Sequence, residues 1–107
     1  MINIYFSKKQ IIGFKGAEPD LGVRLDVILK YLNNSDLKFK LIQPNSASEN
    51  QLLLAHNEQY LNELKNPERI KKYFPEDPIT KGTFTVLKLS AGSAIDACEY
   101  SFKNKKL

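Results

Sequence analysis

Few residues of this chain are of the types that do chemistry. The 107 residues include one histidine and one cysteine. His56 lies beside Glu58 and one turn before Tyr60 on what reads as a helix, where a half-buried histidine with a hydrogen-bond partner is the plain interpretation. A zinc site would need three or four convergent ligands, and no ligand spacing is present. Cys98 falls on the apolar side of a helix, as a small core residue does. Ser90 and Ser93 have no base near them in sequence, so nothing proposes a nucleophile. Gly13, Gly16 and Gly22 lack the spacing of a phosphate loop, and no Gly-Lys-Ser/Thr follows. Glu76 and Asp77 are two adjacent carboxylates between Pro75 and Pro78. They can accept hydrogen bonds from a bound chain, or form an ordinary solvated loop.

The elements that would position these groups follow from periodicity. Ile2, Ile4 and Phe6 alternate with Asn3 and Tyr5, which predicts a strand. Residues 8–22 hold three glycines and a proline and read mainly as loop, with Ile11 and Ile12 turned inward. Leu21, Leu25, Ile28, Leu29 and Leu32 share one face of a helix that Asn33-Asn34-Ser35 ends. Lys38 to Ile42 alternates again and stops at Pro44. Ser48 offers a helix N-cap, with Gln51 completing a capping box. The stripe Leu53, His56, Tyr60 and Leu64 predicts a single helix up to Pro67. Residues 68–79 read as a turn of helix and then loop. A last helix spans about Thr83 to Asn104, with Phe84, Leu87, Ala91, Ala94, Ile95, Cys98 and Phe102 as its apolar face. Its Ala91-Gly92-Ser93-Ala94 stretch has so little bulk that a neighbouring backbone can come close. Strands alternating with helices imply a parallel sheet with crossovers.

Composition bounds the class. The length suits one domain, and 42% hydrophobic with 26% charged residues is ordinary for a folded globular chain. No apolar run approaches the roughly 20 residues of a membrane span. The N-terminus lacks the pattern of a secretory signal, and a lone cysteine fits a reducing compartment, so a cytoplasmic location is expected. The formal charge of +4 owes much to Lys103, Lys105 and Lys106. Lysines late in a helix complement its dipole. A basic tail is also the start of an alternative, a small nucleic-acid-binding protein, but no aromatic or arginine pattern for reading bases accompanies it. That partner is not expected, and neither is a membrane.

From Pro75 onward the chain reads Pro75-Glu76-Asp77-Pro78-Ile79-Thr80-Lys81-Gly82-Thr83-Phe84, then Leu87-Lys88-Leu89-Ser90-Ala91-Gly92-Ser93-Ala94. Earlier come Leu41-Ile42-Gln43-Pro44 followed by Ala47-Ser48, and His56-Asn57-Glu58-Gln59-Tyr60-Leu61. In this order the pieces resemble the N-terminal part of histone deacetylases, acetoin-utilisation proteins and acetylpolyamine amidohydrolases. The resemblance implies an α/β chain with the N-terminal part of the arginase/deacetylase three-layer architecture, a short parallel sheet with flanking helices. It implies that His56 belongs to a structural His-x-x-x-Tyr helix. It places Glu76 or Asp77 at the substrate rim without deciding which. Arg24 matches the arginine of a Pro-x-Arg segment lining an internal channel. Here the proline comes earlier, in Glu18-Pro19-Asp20, so an exposed helix arginine is the alternative.

In that family the zinc ligands, the paired histidines and the transition-state tyrosine come later in the chain. None can be matched before Leu107. The expectation is therefore a single deacetylase-like segment over 1–107, incomplete relative to the family, with no catalytic residue and no bound zinc of its own. It would be part of a split or truncated zinc amidohydrolase. The alternative is a non-catalytic module that self-associates or binds a partner. The family's first strand lies inside its sheet, so the expected partners are a second copy or a complementary C-terminal deacetylase segment.

Overall fold

The computed structural model of the chain describes residues 1–12, 21–73 and 82–105. Strand β1 is Ile2–Tyr5 and β2 is Phe39–Ile42. They pair in parallel, with Ile2 opposite Phe39 and Tyr5 opposite Ile42. A parallel pair needs a crossover, and helix α2, Leu21–Asn33, lies within it. The chain is mixed α/β, as the alternation of strand and helix signals implies.

Residues 8–22 are not all loop. Lys9–Ile12 form a short helix, α1. Its start is a Ser-x-x-Gln signature: the Ser7 amide donates to Gln10 Oε1 at 2.9 Å, and the Lys9 amide donates to Ser7 Oγ at 3.3 Å. Gln10 Nε2 reaches on to Ser90 Oγ at 3.3 Å, tying α1 to the last helix.

On α2, Leu25, Leu29 and Leu32 are half-buried, but Ile28 of the expected face is 54% exposed. It sits at the margin of the stripe. Val27 and Tyr31 are exposed as well.

The single helix expected up to Pro67 is instead two short ones, α3 Glu49–Leu53 and α4 Glu58–Leu64, and the turn of helix expected after it is α5, Pro67–Ile70. The Ser48/Gln51 capping box opens α3. Asn57 then adopts an extended backbone, and its side chain accepts the Tyr60 amide at 2.8 Å. That cap starts a new helix where the apolar period alone runs through. Asn66 caps α5, with Pro67 in its first turn. Leu61, Leu64 and Ile70 bury together at these junctions, with Leu52, Tyr60 and Phe84 packed against them.

Helix α6, Thr83–Asn104, has the expected limits. Of its expected apolar face, Phe84, Leu87, Ala91 and Ile95 are half-buried, while Ala94, Cys98 and Phe102 are exposed. Its deepest burial lies elsewhere, at Thr83, Val86, Leu89 and Gly92. The reason is the approach that its small residues permit. A Cβ on Gly92 would lie 1.8 Å from the Asn45 carbonyl oxygen and 2.8 Å from the Ala47 nitrogen. The backbone following β2 thus runs directly over Gly92, and the Ala47 amide donates to the Lys88 carbonyl at 2.9 Å. No helix among the described residues is long and apolar enough to cross a membrane.

Candidate functional site

Among the described residues, three places that gather polar side chains stand out. The first is built on α4 and the turn after α5. His56 precedes the Asn57 cap, and its ring lies 5.3 Å from that of Tyr60. Tyr60 meets Tyr73 edge to face at 5.1 Å. The Tyr73 hydroxyl donates to the buried Glu63 carboxylate, and that hydrogen bond holds the hydroxyl above its usual pKa. The hollow beside these groups is about 410 Å³. His56 is exposed, and the rings spend their faces on one another. The arrangement locks α4 to the 71–73 turn and leaves no acid or base aimed at a common point.

A second hollow of about 550 Å³ adjoins it across Gln59 and Glu63, where Glu58, Asn62, Asn66 and Arg69 line an open shelf. Nearby, Glu49 pairs with Lys65, whose ammonium holds the Glu49 carboxyl below its usual range. That pair braces α3 against the end of α4.

The third hollow, about 290 Å³, lies where both strands end: Tyr5, Ile42 and Asn45 face Asp96, Tyr100 and Lys103 of α6. The carboxyl ends of parallel strands are where open α/β sheets hold ligands. Here Asp96 is already committed. Its Oδ2 accepts the Asn45 amide at 2.8 Å and Asn45 Nδ2 at 3.4 Å, pinning the segment that follows β2. The Tyr5 and Tyr100 rings meet at a tilt, 6.5 Å apart. The hollow is a seam between sheet and helix.

Arg24 lies early in α2 and is exposed. Glu76 and Asp77 lie outside the described residues. Among the described residues the structure singles out Asp96 and Gln10 as positioning groups. Gln10 was legible as the end of a Ser-x-x-Gln box. Asp96 was not, because its partner is remote in sequence.

The family model of the Histone deacetylase domain matches residues 18–106. The chain belongs to the histone deacetylase domain family. No curated protein and no solved structure gives a significant match. The family has an arginase/deacetylase-type α/β fold, and the parallel pair with flanking helices is that kind of structure. Deacetylases work through a zinc-bound water. The described side chains do not fit that ion. The only histidine of the sequence stacks on Tyr60. Among the described residues no three His, Cys, Asp or Glu side chains gather into a possible metal site. No hydrolytic step through zinc is derived from these residues.

Proposed function

We propose that this deacetylase-family chain is a non-catalytic structural segment that works by association. Its partner is either a second copy or a complementary C-terminal deacetylase segment carrying the zinc ligands. The observation that carries this reading is the open edge of β1. Ile2 and Phe6 donate their amides to Lys38 and Ile42. Alternation along a parallel ladder then directs the main-chain groups of Asn3 and Tyr5 to the opposite side. Among the described residues β2 is the sole strand paired with β1. An unpaired edge is a template for another chain.

The non-catalytic part rests on His56, the one histidine available as a proton shuttle, which faces Tyr60 in an exposed turn. The test is a deacetylase assay on an acetylated lysine peptide with zinc supplied. The expected result is no turnover above the blank. Zinc-dependent turnover that His56→Ala abolishes would overturn the reading.

A further inference from the structure

We propose that the hollow between α4 and the 71–73 turn binds a primary ammonium group on an aliphatic stem, with Glu63 as its counter-ion. The site lies on other elements than the edge of β1 and does not depend on how the chain associates.

Among the described residues Glu63 is the only buried side chain able to carry a charge, with 9% of its surface exposed. An acid is rarely buried unless a cation answers it. None does so here. The ion pairs among the described residues join Asp26 to Lys30 and Glu49 to Lys65. Glu63 has the neutral Tyr73 hydroxyl, which donates to Oε2. Arg69 lines the second hollow together with Glu63, yet the two form no ion pair.

The other carboxylate oxygen is open. Glu63 Oε1 has no hydrogen-bond partner among the described residues, and no buried side-chain oxygen or nitrogen among them lacks one. Oε1 therefore reaches the surface of the two adjoining hollows that Glu63 lines, of about 410 Å³ and about 550 Å³. A group with N–H donors and a positive charge answers both needs of that oxygen, since charge-assisted hydrogen bonds are about twice as strong as neutral ones.

The rest of the lining selects the kind of cation. Gln59 lines both hollows beside Glu63, and its side chain has no partner among the described residues. A primary ammonium carries three N–H donors, enough for Glu63 Oε1, the Gln59 amide oxygen and a water. A quaternary ammonium has none to give. Ala55 and the rings of Tyr60 and Tyr73 also line the first hollow, and they supply apolar surface for a carbon stem.

His56 is the only histidine of the chain and lines the same hollow, so its ring protons are an unambiguous reporter. The experiment is a proton NMR titration of the full chain with n-butylammonium at fixed pH and ionic strength. Butanol and sodium serve as controls, and a lysine tripeptide with blocked ends is a second arm. The expected result is a saturable shift of the His56 ring protons with n-butylammonium and none with butanol or sodium. Glu63→Gln still accepts the Tyr73 hydroxyl and should weaken binding roughly tenfold or more, as loss of a charged hydrogen-bond partner does. Arg69→Ala should leave binding intact. Should Glu63→Gln disturb the circular dichroism spectrum, the contrast between n-butylammonium and butanol in the wild type decides. A tripeptide that binds more tightly than n-butylammonium assigns the group to a lysine side chain; one that binds no more tightly assigns it to a free amine, and either supports the site. No saturable shift, an equal shift with butanol or sodium, or full affinity in a folded Glu63→Gln variant overturns the proposal.

Discussion

The first half of α6 carries every fully buried residue of that helix, Thr83, Val86, Leu89 and Gly92, whereas residues 93–104 bury none fully and leave Cys98 and Phe102 in solvent. Both halves are continuous helix, so helix formation does not distinguish them. What lies alongside does. The first half meets Phe84's neighbours in the core, the Ala47 amide and Gln10. The second is held by the Asp96 contact to Asn45 and the tilted contact of Tyr100 with Tyr5. Along α6, the deepest burial follows how closely a second backbone approaches, more than how apolar the face is.

The comparison breaks most readily at Gly92. Gly92→Ala puts a methyl into the backbone of Asn45 and Ala47, which cannot swing away as a side chain can. Overpacking of that kind should cost more than about 3 kcal/mol, a large part of what a domain this small possesses. Urea denaturation followed by circular dichroism would show it, and a variant as stable as the wild type would mean that the segment after β2 does not lie on α6. Leu89→Ala, still in the first half, removes a side chain that is 5% exposed and should cost about 3 kcal/mol through the cavity left behind.

Crossing into the second half, Asp96→Ala should cost only about 1 kcal/mol. It deprives the Asn45 amide of its acceptor at a site that water can reach. Hydrogen exchange at Asn45 would report the loss directly. Smallest of all is Phe102→Ser, which should stay within about 0.5 kcal/mol of wild type. A large cost there would show that Phe102 is packed within the single chain, and the contrast between the halves would disappear.

The short-range signals in the sequence determined a great deal. Alternation at Ile2 to Phe6 and at Lys38 to Ile42 specified both strands, because a two-residue period needs only neighbours. The Ser48/Gln51 box and the limits of α6 were readable for the same reason, and so was the permission for close approach at Gly92. Two local signals of the same strength were there to be read and outweighed by pattern: Ser7 with Gln10, hidden in a glycine-rich stretch, and Asn57, hidden inside an apolar stripe that runs across the break. The motif series also placed the chain in its family. Only the tertiary structure decided which face of α6 turns inward. Its expected face was the more apolar one, yet the backbone after β2 fits only where Gly92 leaves room, and that contact joins residues far apart in sequence. The role of Asp96 was settled the same way, by a hydrogen bond whose two ends no local period connects.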